Sequence, residues 1–102
     1  MKFMVDIDGT ICHSPSSNYA ESQPIPERIA KINSLVAAGH EVQYWTARGG
    51  NSGIDWSALT LEQLERWGCK YTSVNFKKPV YDLWIDDKAI NSEVYFENPS
   101  HR

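Results

Sequence analysis

Cysteine is scarce in this sequence, and the features that would place a chain in a membrane or on nucleic acid are missing. The two cysteines, Cys12 and Cys69, have no CxxC spacing. One pair cannot build the disulfide framework of a small secreted domain, so reduced thiols in a cytoplasmic protein are expected. No apolar run reaches the length of a bilayer span. The opening residues MKFMVD meet an acid before a signal-peptide core could form. Positive charge is short as well: 10 Lys and Arg face 13 Asp and Glu, a formal charge of −3. That balance gives no reason to expect nucleic acid or an anionic membrane as partner. Internal repeats and low-complexity tracts are also missing.

What remains is a chain suited to one packed core. It has 102 residues, 41% of them hydrophobic, with four Trp, and is read as a single domain over residues 1–102. Residues 2 to 7 read as a short buried strand. The Ser-, Pro- and Asn-rich stretch from Cys12 to Pro26 reads as a loop, long for so small a domain. Pro26 suits the first turn of a helix, along which Ile29, Ile32, Leu35 and Val36 recur at helical spacing, and Gly39 suits its stop. EVQYWTAR supplies a second strand, followed by the flexible GGNSG. Thr60 and Gln63 have capping-box spacing, with Leu59 and Leu64 as its hydrophobic staple; that helix is expected to run to about Trp67, with Gly68 after it. YTSVNF and VYDLWIDD are the third and fourth strands. The tail from Ala89 is open between a short helix and an edge strand. Trp45, Trp67 and Trp84 are expected in the core. Alternation of this kind predicts an α/β layer structure with a largely parallel sheet.

The stretch VDIDGTI raises a physical question. Asp6 and Asp8 stand where the first strand runs into its loop, and a buried carboxylate is costly without a cation or hydrogen-bond donors. Asp86 and Asp87 close the fourth strand in the same way, and ligands in parallel sheets bind beyond the carboxyl ends of the strands. Four carboxylates gathered there would raise one another's pKa unless neutralised. Mg²⁺, with its oxygen ligands, suits such a site and commonly shares it with a phosphate. Thr46 and Lys78 supply a hydroxyl donor and a point charge for that phosphate. Gly9 lets the backbone turn tightly and bring N–H groups near an anion. Cys12 lies close by but has no base in the motif, so a small semi-buried side chain is expected there.

VDIDGTI, YWTAR, KKP and WIDD, in that order, resemble the four motifs of the haloacid dehalogenase superfamily of phosphohydrolases. The resemblance runs from Met4 to about Asn91. With TARGG at 46–50, WG at 67–68 and IDDKAIN at 85–91, the chain is similar to small bacterial and phage members linked to polysaccharide synthesis. The resemblance implies a three-layer, Rossmann-like domain and an aspartyl-phosphate mechanism. Asp6 would be the nucleophile and Asp8 the general acid and base. Asp6, Asp86 and the backbone carbonyl of Asp8 would hold Mg²⁺, with Asp87 in its outer shell. Thr46 and Lys78 would bind the transferring phosphoryl group, with Lys77 as the alternative lysine. Arg48, beside a glycine-rich loop, is a candidate substrate contact or a salt-bridge former. His13 and Trp56 are weaker candidates, Trp56 as a sugar platform or partner contact.

Plainer explanations compete for each residue. Asp-Gly is commonly just a turn, Thr46 can cap the loop that follows it, the lysines can be solvated, and Asp86 and Asp87 can cap a helix at Lys88. The rival functions are a receiver-like module, a non-catalytic Mg²⁺ or phosphate-binding module, a DxD glycosyltransferase, and a nucleotide or phosphoprotein phosphatase. In receivers Lys-Pro comes last, whereas here Lys78-Pro79 precedes the final acidic pair. The DxD glycosyltransferases are much larger. A small-molecule phosphomonoester, foremost a sugar phosphate, is the expected substrate. The superfamily's usual large cap domain has no room in this chain. An uncapped site leaves space for a neighbouring subunit as lid, so a homo-oligomer is carried as a hypothesis.

Overall fold

A computed structural model of the chain describes residues 1–15, 18–50 and 52–97. Strand β1 (Lys2–Asp6) opens it, followed by two short strands, β2 (Cys12–His13) and β3 (Gln23–Pro24). Between them lies a 3-10 turn at Tyr19–Glu21. Helix α1 (Pro26–Ala37), strand β4 (Glu41–Trp45), helix α2 (Ser57–Arg66), strand β5 (Ser73–Asn75) and helix α3 (Ser92–Glu97) complete the order. β1, β4 and β5 form one parallel sheet in the order β1-β4-β5, and β2 pairs antiparallel with β3. The architecture is therefore α/β around a parallel sheet. The long Cys12–Pro26 loop is in part this small hairpin; its residues 16 and 17, and residue 51 of GGNSG, lie outside the described residues.

Helix α1 follows from its sequence. Pro26 occupies its first turn, where a missing N–H costs nothing. Ile29, Ile32 and Leu35 are its buried residues. Gly39, at φ +93°, ends it, with the N–H groups of Gly39 and His40 donating to Val36 O and Leu35 O, a Schellman closure. Gly68 closes α2 in the same way: the N–H groups of Gly68 and Cys69 donate to Glu65 O and Leu64 O. In β4 the burial alternates, with Val42 and Tyr44 inward in one core with Ile7, Ile32 and Leu64.

Two expectations fail here. Helix α2 begins at Ser57, so Thr60 and Gln63 lie within it and are buried rather than forming a capping box. VYDLWIDD forms no strand within the chain: residues 80–91 are exposed and irregular, and Trp84 is outside the core. The tail takes the helical option as α3, whose Tyr95 and Phe96 pack against the core. Among the described residues, no helix is long and apolar enough to cross a membrane.

Candidate active site

The three parallel strands end level with one another: Asp6 of β1 is in register with Trp45 of β4, and Trp45 with Asn75 of β5. Every chain segment leaving this edge carries a polar residue. After β1 the chain makes a tight turn in which Thr10 N and Ile11 N donate to Ile7 O. Gly9 sits at φ +81°, a conformation costly for other residues. Its own N–H donates to Cys12 O, so the turn uses the donor that an anion would need. Thr10 Oγ1 donates to Asp6 Oδ2 at 3.1 Å.

Lys78 arrives from the far side of the sequence. Its N–H donates to Thr46 O, which fixes it over the end of β4. Its Nζ then donates to Asp6 Oδ1 at 3.0 Å. Burial works against the ammonium, but the hydrogen bond and charge of Asp6 outweigh it, so its pKa is raised. Of the two candidate lysines, Lys78 reaches the carboxylate and Lys77 is exposed. Thr46 is buried, and its hydroxyl oxygen accepts from Arg48 N at 3.0 Å. This is a loop cap, and it leaves the hydroxyl proton free to donate.

Asp8 is bound by Arg48 in a two-pronged pair: Nε to Oδ2 at 2.9 Å and Nη2 to Oδ1 at 2.8 Å. Ser14 donates to the same carboxylate. Burial raises the Asp8 pKa, but the hydrogen bonds from Arg48 and Ser14 outweigh it, and the carboxyl lies below its usual value. Asp8 therefore rests as an anion. The Arg48 side chain has no exposed surface. Its Nη1 donates to Thr60 Oγ1 at 3.0 Å and to Gln63 Oε1 at 2.6 Å, and its guanidinium lies 4.7 Å from the centre of the Tyr19 ring. Arg48 is thus a positioning residue for Asp8. Thr60 and Gln63 belong to this network, and their spacing puts them on one helix face facing Arg48. Ser14, Ser22 and Tyr19, which also belong to it, carried no sequence signal. Trp56 packs edge-on against Tyr19, with ring centres 5.2 Å apart.

Cys12 and His13 together form β2, and Cys12 is buried as expected. Burial pushes the Cys12 thiol up to about 11, so it is not a nucleophile at neutral pH. His13 is exposed on the small hairpin. Gly49, next to Arg48, holds φ +83°, and a Cβ there would clash with Ile54 O. Gly49→Ala is expected to cost about 3 kcal/mol in urea unfolding, from backbone strain plus the clash. Gly53→Ala, at φ +72° with open space around it, is expected to cost about 1 kcal/mol, the conformational penalty alone.

Asp86 and Asp87 do not gather with Asp6 and Asp8 into one cluster of carboxylates among the described residues. Asp86 accepts from Trp84 Nε1 and Lys88 N on an exposed turn. Among the described residues, no group of three or more His, Cys, Asp or Glu side chains gathers as a metal would require. The two carboxylates present are held by Lys78 and Arg48.

No protein-family model and no curated protein matches the chain. Among solved structures it is similar to the crystal structure of a target protein from Vibrio cholerae. The TM-score is 0.82 at 24% identity, over 97% of this chain and 89% of that one. At that identity the likeness is one of fold, an α/β arrangement that the two proteins share.

Proposed function

We propose that the chain is a phosphohydrolase of the haloacid dehalogenase type, acting on a phosphomonoester through Asp6. The observation that carries this reading is the Asp6–Lys78 pair: residues 72 apart in sequence meet at 3.0 Å on one strand end, with Asp8 two residues on and Thr46 on the adjacent strand end. A cation beside a partly exposed carboxylate is the arrangement that lets an anionic nucleophile approach a phosphate. An Asp6 oxygen attacks phosphorus, and the ester oxygen leaves with a proton from Asp8. Water then attacks the aspartyl-phosphate and gives its proton to Asp8. Ester and water become alcohol and phosphate; Asp8, which takes up a proton as substrate binds, ends protonated and loses that proton to solvent as phosphate leaves, restoring both resting carboxylates.

The resting anion of Asp8 suits the second step. For the first, an incoming phosphate adds negative charge beside it and favours its protonation. Thr46 and Lys78 hold the phosphoryl oxygens. A sugar phosphate is the leading substrate class, on the narrower resemblance to proteins of polysaccharide synthesis. Residues 12–26 include a small hairpin with a 3-10 turn on the β1 side of this edge, a flap far smaller than a cap domain.

The test is phosphate release from an aryl phosphate by purified protein, with Mg²⁺ and with chelator, followed by sugar phosphates and nucleotides. Turnover that requires Mg²⁺ is expected. Silence across all these esters, with phosphate still bound, would favour the non-catalytic binding module, for which the Arg48 grip on Asp8 is the supporting observation.

A further inference from the structure

Residues 80–90 are the anomaly of this fold. Leu83 and Ile85 are 76% and 89% exposed, and Val80, Tyr81, Trp84 and Ile90 are also open to water. A run of this composition has high strand propensity and no strand partner among the described residues. Both of its ends are fixed: Lys78 is bound to Asp6, Ser92 Oγ donates to Gly9 O, and Tyr95 and Phe96 lie against Lys31 and Arg28 of α1. Residues 79–91 are therefore a closed arm, not a loose tail.

The sheet has a matching open edge of its own. Among the described residues β1 pairs only with β4, so its other edge is free, and Met4 on that strand is 56% exposed. An open edge presents a row of backbone N–H and C=O groups with which another strand can pair. The arm cannot fill this edge within its own chain. Parallel neighbours need a crossover of a dozen or more residues, and only residues 76–81 separate β5 from Asp82. Lys78 is held at the carboxyl end of the sheet, and from its Cα to that of Asp82 the chain spans at most about 14 Å. A parallel strand over residues 82–86 itself takes about 13 Å. Nothing is left for the reversal.

We propose that residues 82–86 of one copy pair in parallel along the free β1 edge of a second copy, and reciprocally. A second copy removes the connection constraint and covers the exposed apolar residues of both chains at once. Parallel pairing also has a consequence at the site. It brings Asp86 of each copy to the strand end that carries Asp6 and Asp8 of the other, supplying the carboxylate that one chain lacks. That consequence rests on the hydrolase reading; the strand exchange does not.

Three measurements test the exchange. Light scattering at micromolar concentration should give twice the single-chain mass, and Ile85→Asp, at a position exposed within one chain, should return the single-chain mass without loss of helix signal. Mixing a Met4→Cys protein with a Trp84→Cys protein should give a covalent heterodimer on oxidation or with a short bis-maleimide. A native single-chain mass, or a dimer in which these two cysteines do not join, overturns the proposal. Finally, Asp6→Asn and Asp86→Asn proteins, each inactive alone, should recover activity when mixed and refolded, to about a quarter of the native sites, because half the dimers are mixed and each holds one intact site. If native protein hydrolyses esters and the mixture stays inactive, the delivery of Asp86 is wrong. If the cross-link forms but native protein releases no phosphate, the hydrolase reading falls and the exchange stands. A monomer that turns over ester refutes the exchange and upholds the hydrolase.

Discussion

Asp6→Asn is expected to lower phosphate release at least about 1000-fold while leaving the fold intact. The amide keeps the size of the carboxylate and can still accept from Thr10, so the end of β1 stays in place. What it loses is the proposed nucleophile: an amide oxygen does not form an acyl-phosphate that water then cleaves. The effect on stability is small. The side chains of the Lys78–Asp6 pair are 20% and 33% exposed, and pairs open to solvent contribute at most about 1 kcal/mol. Lys78→Met should behave differently, lowering turnover about 100-fold by removing charge stabilisation and keeping the chemistry. Both are read from phosphate release at saturating substrate beside thermal unfolding. Native-like turnover by Asp6→Asn would remove Asp6 from the nucleophile role.

Arg48→Met is expected to cost about 3 kcal/mol of stability at neutral pH, the largest loss of any single change to a charged side chain at the site. The guanidinium is fully buried and is the shared partner of Asp8, Thr60, Gln63 and Ser22. Methionine fills much of its volume but removes the two-pronged donor of Asp8, leaving it Ser14 and Cys12, and takes the donor from the Gln63 oxygen. The pH dependence has a definite sign. The folded pKa of Asp8 lies below its unfolded value, so the contribution of the pair is present above the ordinary carboxylate range near about 3.9 and is lost as pH falls through the lowered value. The gap between native protein and Arg48→Met, measured by urea unfolding, should therefore be wide at pH 7 and narrow in strong acid. A gap that does not change with pH would mean that Arg48 acts by packing and not through the Asp8 charge.

Much of this architecture is legible in the sequence because local rules and tertiary packing agree. In α1, Pro26, the Ile29–Ile32–Leu35 face and Gly39 each point to the same helix, and the structure has it. The strand ends carrying Asp6 and Thr46 are legible for a similar reason: an apolar run that stops at a polar residue marks the edge of a sheet. Thr60 and Gln63 mislead because a spacing of three serves two purposes. It links a cap to its box, and it also places two side chains on one helix face, here against Arg48. Arg48 reads in the sequence as a substrate contact or a salt-bridge former; the structure has the salt bridge, with Asp8, 40 residues away, and its burial comes from that pair together with Thr60, Gln63 and Tyr19. VYDLWIDD departs from expectation for a deeper reason. Apolar patterning reports that Leu83, Trp84 and Ile85 favour a strand, but in the structure all three are exposed. The connection from β5 is too short to return the chain for a parallel strand beside β1.

A mass spectrum of the covalent intermediate puts the proposed mechanism to its sharpest test. Asp8→Asn protein would be mixed with an aryl phosphate, whose leaving group needs little acid assistance, and quenched in acid within the first turnover. Without its base the second step slows, so one phosphoryl group per chain should accumulate on the peptide containing Asp6 and disappear on treatment with hydroxylamine. Native protein that releases phosphate, beside an Asp8→Asn protein that carries no phosphoryl group on Asp6 or carries it elsewhere, would contradict the mechanism.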